Sequence, residues 1–393
     1  MLKTRIGEIA TKVGSGSTPK GGKNSYKGGE VALIRSQNVR DMYFDYNGLA
    51  YINDEQAQEL DNVEVKSGDI LFNITGDSIA RCCIVPDDVL PARVNQHVAI
   101  IRTPSIDSHY LMYKLQSLKS YLLSISHGGS SRNAITKKGL ENIEIKIPRD
   151  ANNISRLLDA LSDKVINNNN IVKQLNLIAK TIYDYWFLQF EFPNEEGKPY
   201  KSSGGKMVWN EELQRDIPEG WGSAKLKDVI VENPKSKIKV GDVKNIGEVP
   251  FFTSGAEILS TNDSIVSGLN CYLNTGGNAD VKYYYGEASY STDTWCITAE
   301  DGMKYILPFI LDKIKPSMDK VFFQGTGLRH LQKNLLREYS LCIPDNDVLK
   351  KFEKIARDVF VQQHNLLAEN RKLESLKEFL LPLLMNGQVT VGE

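Results

Sequence analysis

Apolar residues recur at steps of three and four over two long stretches of this chain; elsewhere they fall in short runs bounded by turns. The first stretch runs from about Asn153 to Leu188, through Leu157, Leu161, Val165, Val172, Leu175, Ile178, Ile182 and Trp186. The second runs from about Val348 to Met385, through Leu349, Phe352, Ala356, Val359, Leu366, Leu373, Leu376 and Leu380. Such spacing keeps an apolar stripe on one face of an α-helix, and a stripe needs a partner to bury it. Each stripe is interrupted near its middle by an asparagine, Asn168 in one and Asn370 in the other. A polar residue on a seam fixes register at some cost in stability. We expect the two helices to pair with each other, each on the order of 50 Å long at 1.5 Å per residue. Packing of each helix on its own neighbouring block is the alternative.

Each helix follows a block of strand-and-turn sequence, so the chain reads block, helix, block, helix: an α+β organisation. In the first block, RIGEIATKV leads into a polar, weakly basic loop from Gly14 to Gly29. VALIRSQNV is a strand, VKSGDILFNITGD places a buried strand between Gly68 and Gly76, and RCCIVP and VNQHVAIIR are further strands. Ser108 to Ser126 has helical periodicity, and a Gly/Ser/Arg loop returns to a last strand ending at Pro148. The second block repeats this outline. KLKDVI echoes RIGEIA; Gly68, Thr75 and Gly76 recur at the same spacing as Gly268, Thr275 and Gly276; QGTGLRHLQKNLL stands where HGGSSRNAITKKGL stood; LREYSLCIP ends at Pro344 as LENIEIKIP ended at Pro148. This is a duplication of roughly 200 residues, not a solenoid of short repeats. The predicted organisation is a first block over 1–149, a helix over 150–190, a linker over 191–221, a second block over 222–345, a helix over 346–386 and a tail over 387–393. The linker is polar and rich in Gly and Pro, yet Trp209 and Trp221 are expected to anchor it, since a free linker usually lacks tryptophans.

Composition narrows the class. At 393 residues the chain is too long for one ordinary core. With 41% hydrophobic and 25% charged residues it reads as a soluble globular protein. FLLPLLM near the C-terminus is short and broken by Pro382, so no membrane span is expected, and MLKTRIGEIA has no apolar core of an export signal. Five cysteines, an odd number without C-x-x-C spacing, fit a reducing cytosol better than a disulfide framework or a structural zinc site. A net charge of -1 gives no global signature for nucleic acid, so any basic face must be local or supplied by a partner.

No complete catalytic motif is present in the sequence. Glu232-Asn233-Pro234-Lys235 is the nearest approach to the N/D-P-P-aromatic motif of an adenine methyltransferase and lacks the second proline and the aromatic. There is no G-x-x-x-x-G-K-S/T phosphate loop and no G-x-S-x-G elbow. A nuclease pattern fits Pro86-Asp87 with Glu144-Ile145-Lys146 only at an implausible separation, and none of the five histidines has H-x-x-x-H spacing, so no metal site is expected. What remains is binding. Arginine can read guanine bidentately, and asparagine or glutamine can read adenine in the same way. In the first block the candidates are Arg35, Gln37, Asn38, Asn73, Thr75, Arg81, Asn95, Gln96, His97 and Arg132, with Ser130, Ser131 and Lys137 for phosphates. In the second they are Thr253, Ser254, Asn274, Asn278, Lys282, Tyr283, Arg329 and His330. Asn and Thr beside Gly also cap turns, and the tyrosines around Tyr283 and Tyr290 also suit half-buried strands.

The IRSQNV stretch, the SGDILFNITGD strand, the SRNAITKKGLENIEIKIP ending and above all the linker WF…FEFP…GKPYKSSGGKMVWNEELQRDIPEGW resemble the specificity subunits of type I restriction-modification systems, over essentially the full length. The resemblance implies that each block is a target recognition domain binding one half of a bipartite DNA site. The helices would form an antiparallel coiled coil that separates the two domains, with Leu157, Leu161, Asn168, Leu175 and Ile182 of the first helix and Val359, Leu366, Asn370, Leu373 and Leu380 of the second on the seam and the docking surface. Two modification subunits would methylate adenine using S-adenosylmethionine, and restriction subunits would add ATP/Mg-driven translocation and cleavage, so this chain would hold no cofactor and do no chemistry. A rod of roughly 50 Å would span on the order of 15 base pairs of double-stranded DNA. The blocks differ in their loops, which predicts a non-palindromic target. A stand-alone DNA-modifying enzyme and a protein-binding scaffold are the competing readings.

Overall fold

The computed structural model describes residues 2–19, 26, 28–126 and 134–392. The chain forms two compact units: residues 1–163 with 373–393, and residues 164–372. The unit boundaries fall inside the long helices, so each unit contains one block and segments of both helices.

In the first unit, Leu2–Arg5 pairs antiparallel with the closing strand Glu144–Ile147. An antiparallel sheet follows in the order Lys12–Ser15, Val98–Arg102, Ile70–Asn73, Cys82–Ile84. A second sheet has the order Ala50–Ile52, Val31–Ile34, Ala92–Val94, Glu64–Val65, and its Val31–Ile34 and Ala92–Val94 strands are parallel. Ile70–Asn73 is buried at all four positions because both faces are covered, which is why it reads as a continuous apolar run and not an alternation. The Asp107 carboxylate accepts the N–H groups of His109 (2.8 Å) and Tyr110 (3.2 Å) and starts the helix Ser108–Ser117. Lys119–Ser126 continues it as a separate helix. Tyr110 and Tyr113 of the first of these join Phe72 in the core.

The second unit repeats this frame. Gly222–Lys225 pairs with Ser340–Ile343, and the main sheet runs Ile230–Glu232, Thr294–Ala299, Leu269–Asn274, Val281–Tyr285. The smaller sheet is Ile258–Thr261, Val249–Phe252, Ser289–Tyr290, again with one parallel pair. The duplication thus extends to strand order. Gly68 and Gly268 both sit at positive φ (78° and 82°) in the turn before the buried strand, a conformation that favours glycine. After that strand the two turns diverge: Gly76 has positive φ in the first unit, but Gly277, not Gly276, has it in the second. One helix was not anticipated. Met303–Val321 carries Pro308 and Pro316, residues that weaken a sequence-based expectation of helix.

The long helices are Ala151–Tyr183, continued by a wide π-type turn over Asp184–Leu188, and Asn346–Met385. They pair antiparallel. In the first unit the Lys377 ammonium donates to the Ser162 hydroxyl (2.6 Å), and the Val391 N–H to the Asp150 carboxylate (2.9 Å). In the second unit the Asn168 amide donates to Glu369 (2.8 Å) and Asn370 (2.9 Å), and the Asn370 amide donates to Asn169 (2.9 Å). Each unit's core also takes in helix ends: Ile154, Leu158, Leu384 and Met385 in the first, Tyr183, Phe187, Phe352 and Phe360 in the second.

Two expectations about individual side chains need correcting. Ile178 and Leu376 were placed on the buried stripes, but they are 50% and 44% exposed, since a two-helix pair covers a narrower face than the stripe provides. Trp209 does not anchor the linker. It stands 54% exposed on the hairpin Met207–Asn210/Arg215–Pro218, and the anchor is Trp221, which stacks with Phe192 (5.1 Å) and meets Phe187 and Phe190.

Candidate nucleic-acid interface

In the first unit the polar candidates divide by depth. Asn38 and Asn73 are fully buried. The Asn38 amide donates to the Asp45 (2.8 Å) and Asn47 (3.3 Å) carbonyls, and its oxygen accepts the Arg35 N–H (3.1 Å). The Asn73 amide donates to the Ser36 (2.9 Å) and Val39 (3.3 Å) carbonyls. These two residues fasten the loop over 35–48 from within, and the Arg35 guanidinium closes it by donating to the Gly48 carbonyl. Gln37 is exposed on that loop, its amide 3.2 Å from the Gly48 oxygen. Arg81 is half-buried beside the strand end, where its carbonyl accepts the Asn73 N–H (2.8 Å).

A second group gathers at the end of Ile70–Asn73. The Thr75 hydroxyl lies 2.6 Å from His97 Nδ1, and Gln96 is exposed with its amide 3.2 Å from His97 Nε2. Asn95 is buried and its oxygen accepts the His97 N–H (3.0 Å), shaping the turn that presents both neighbours. Thr75 also bridges to Ala134. Ser130, Ser131 and Arg132 lie outside the described part of the chain. Lys137 is exposed at the start of the short helix Lys137–Glu141 and pairs with Glu141 (3.6 Å).

The second unit builds the corresponding place with different side chains. Thr275 donates its hydroxyl to the Asp293 carbonyl (2.8 Å), and its own carbonyl accepts the Leu331 N–H (3.0 Å). Gly276 bridges to His330, and the Gly277 N–H donates to the Arg329 carbonyl (2.9 Å). The Arg329 guanidinium binds Asp319 (3.0 Å) and the exposed Asn278 (2.7 Å). The Ala279 N–H and Arg329 together hold the Asp319 carboxyl below its usual range. Arg329, His330 and Asn278 are therefore brought together at one edge. The others point elsewhere. Asn274 is buried, donating to the Gly276 carbonyl (2.8 Å) and accepting the Asp280 N–H (2.7 Å). Thr253 is buried and donates to the Glu257 carbonyl (2.6 Å), Ser254 beside it is half-buried, and Lys282 reaches the Thr253 carbonyl (3.1 Å) and Asp280 (3.4 Å). Tyr283 packs against Phe360 (5.9 Å) and donates its hydroxyl to Asn176 of the first long helix, which turns it into the core and away from any base.

One cluster escaped the sequence reading. Lys235, Lys237 and Lys239 alternate along an extended segment that borders this same edge. The strict period-two lysine pattern is the signal in the sequence, and it begins at Lys235, the last residue of the incomplete methyltransferase-like stretch Glu232-Asn233-Pro234-Lys235. Among the described residues no group of His, Cys, Asp and Glu is arranged to hold a metal, and no helix is long and apolar enough to cross a membrane.

Two units with one strand frame, each presenting a distinct set of polar side chains at matching loops, define a two-module recognition protein. Residues 2–177 match the family described as the type I restriction modification DNA specificity domain. The chain is 25% identical to the type I restriction enzyme MjaIX specificity subunit of Methanocaldococcus jannaschii, over 99% of this chain and 92% of that one. It is 21% identical to the putative MjaX specificity subunit of the same organism, over 99% and 96%. Its fold is that of the crystallised S subunit of the M. genitalium type I system, with a TM-score of 0.60 at 12% identity, covering 97% of this chain and 95% of that one. Residues 2–177 thus match a type I restriction-modification DNA specificity domain, and the chain as a whole resembles type I specificity subunits over nearly its full length.

Proposed function

We propose that each unit reads one half of an asymmetric bipartite DNA site, and that the chain is itself non-catalytic. The observation that carries this reading is the repetition of one strand frame with different side chains around the end of the equivalent central strand: Thr75, Gln96 and His97 in one unit, Thr275, Arg329 and His330 in the other. In the first unit the base-contacting set is Gln37, Gln96 and Arg132, and Ser130, Ser131 and Lys137 meet phosphates. In the second it is Asn278, Arg329 and His330. Buried Asn38, Asn73, Asn95, Asn274 and Thr253 shape the loops that carry them.

The paired helices dock the modification subunits. Their exposed apolar side chains support this: Ile166 (57%), Leu177 (58%) and Ile178 on the first helix, and Leu376 and Phe379 (67%) on the second. S-adenosylmethionine belongs to the modification subunits, and ATP with Mg to restriction subunits where these are present. The complex acts on chromosomal DNA in the cytoplasm. Genome-wide mapping of methylated adenine, with the gene present and deleted, tests the reading. A bipartite, asymmetric motif that vanishes on deletion is expected. An unchanged methylome in cells that express the modification subunit would overturn it.

A further inference from the structure

The alternation of Lys235, Ser236, Lys237, Ile238 and Lys239 is matched by their surroundings. Ser236 is 6% exposed and its hydroxyl accepts the Ile238 N–H (3.1 Å), and the Ile238 carbonyl accepts the Thr292 N–H (2.9 Å). These bonds hold the segment extended against the turn at 291–294. The three lysines are exposed on the other side. Alternate residues of an extended chain stand roughly 6.6 Å apart, a step comparable with that between neighbouring phosphates on one DNA strand.

Lys235 borders a cavity of about 310 Å³ whose wall also includes Asn233, Thr275, Thr292, Asp293 and Lys333. Lys333 stands over the Trp295 ring at 4.9 Å. Arg337 approaches the same ring at 5.6 Å but is neutralised by Glu232 at 2.6 Å, while Glu232 also accepts the Trp295 indole N–H (2.9 Å). Among the described residues Lys235, Lys237, Lys239 and Lys333 have no carboxylate partner. Burial pushes the Lys333 ammonium below its usual range; the nearby Glu232 carboxylate opposes that shift, and the charges of Arg337 and Lys235 add to it. The nearest carboxylate, Glu232, is already taken by Arg337, so the gathered like charges work against the stability of the free fold, and a polyanion supplies what is missing.

We propose that Lys235, Lys237, Lys239 and Lys333 form a phosphate-binding edge of the second unit, which grips the DNA backbone and sets the register of the base-reading loop. The edge is continuous with that loop: Thr275 lines the cavity and its carbonyl accepts the Leu331 N–H, two residues before Lys333. Of the two carboxylates on the cavity wall, Glu232 is bound by Arg337, and Asp293 repels phosphate and confines the backbone to the lysine side. The inference rests on the DNA-reading role proposed above.

The test uses the assembled methyltransferase complex with K235Q/K237Q/K239Q, K333Q and the four together. Binding to cognate and to random-sequence duplex is measured across a salt series. The quadruple variant is expected to lose on the order of 100-fold in affinity for both duplexes, with the slope of log K against log salt shallower by about 3 to 4. The methylated motif is expected to stay the same. An unchanged slope and affinity would overturn the proposal, as would a loss confined to one base position, which would mark base reading instead. Failure of the unsubstituted complex to prefer any sequence would strike the DNA-reading role itself, a result distinguishable from either. Thermal melting of each variant guards against a folding defect, and the single K333Q change supplies a second reading if the triple change unfolds the segment.

Discussion

His109 ties the helix Ser108–Ser117 to the first long helix, and Arg329 belongs to the proposed interface. His109 Nδ1 lies 2.9 Å from the Asp159 carboxylate within the first unit, and Tyr113 donates its hydroxyl to the same group (2.8 Å). The hydrogen bond to Asp159 raises the pKa of His109 above the ordinary histidine value. A raised folded-state pKa means that the added stability is complete below the unfolded value, roughly 6.5, and fades as pH rises through the folded one. The melting temperatures of the wild-type chain and His109→Gln should therefore differ more at pH 6 than at pH 8.5. The reverse order would show that the pair does not stabilise the protonated ring. The effect will be small, since the imidazole is 47% exposed and solvent screens the pair. Arg329 is tied to Asp319 and Asn278 through both terminal nitrogens. Arg329→Ala should cost about 1–3 kcal/mol in DNA binding by the complex, confined to one half-site, if it reads a base. Uniform weakening across all sequences in a binding titration would make it a phosphate contact.

Among the elements, the helix pair and the linker carry the sharpest expectations. Asn168 is fully buried and Asn370 is 5% exposed, with Lys164 adding an ion pair to Glu369 (3.3 Å) at the edge of their layer. Removing one partner strands a buried amide, so Asn168→Ala should cost about 1–3 kcal/mol in urea unfolding. Replacing both asparagines with leucine should recover that loss while loosening register, because buried polar pairs act on specificity more than on stability. A double-mutant cycle measures the coupling, and simple additivity of the two single changes would refute it. In the linker, Trp221 closes an aromatic stack with Phe192 and Tyr200, whose rings lie 4.6 Å apart. Trp221→Ala should destabilise the second unit by about 3–5 kcal/mol, whereas Trp209→Ala, at an exposed site, should stay within about 0.5 kcal/mol.

For the whole molecule, stability and assembly should separate. Leu161 and Leu366 are half-buried in the helix pair, and a charge at both should release the modification subunit or unfold the helices. Ile178→Glu and Phe379→Glu alter exposed positions, so they should leave the melting temperature nearly unchanged while weakening co-purification of the modification subunit. If assembly tolerated both sets of changes, the docking surface would lie elsewhere on the chain. The two sets together distinguish a face that holds the helices to each other from one that holds a partner.

The period of apolar residues determined the two long helices, because helical spacing is a local property that each stripe carries in itself. The order of strand and turn signals determined the duplication, because glycines such as Gly68 and Gly268 are required by backbone conformation at one place in each copy. Only the tertiary structure decided which polar residues face outward. Asn73 and Gln96 have much the same chemistry in the sequence, yet one is sealed under a loop and the other is exposed, because burial depends on what packs across from a residue and not on its neighbours in the chain. Tyr283 was settled in the same way by Asn176 and Phe360, more than seventy residues away on either side. The lysine edge of the second unit needed both kinds of information. The alternation is written in the sequence, but the convergence of Lys333 on Lys235 exists only once the segment at 235–239 lies against the turn at 291–294, and that placement rests on hydrogen bonds between residues distant in the chain.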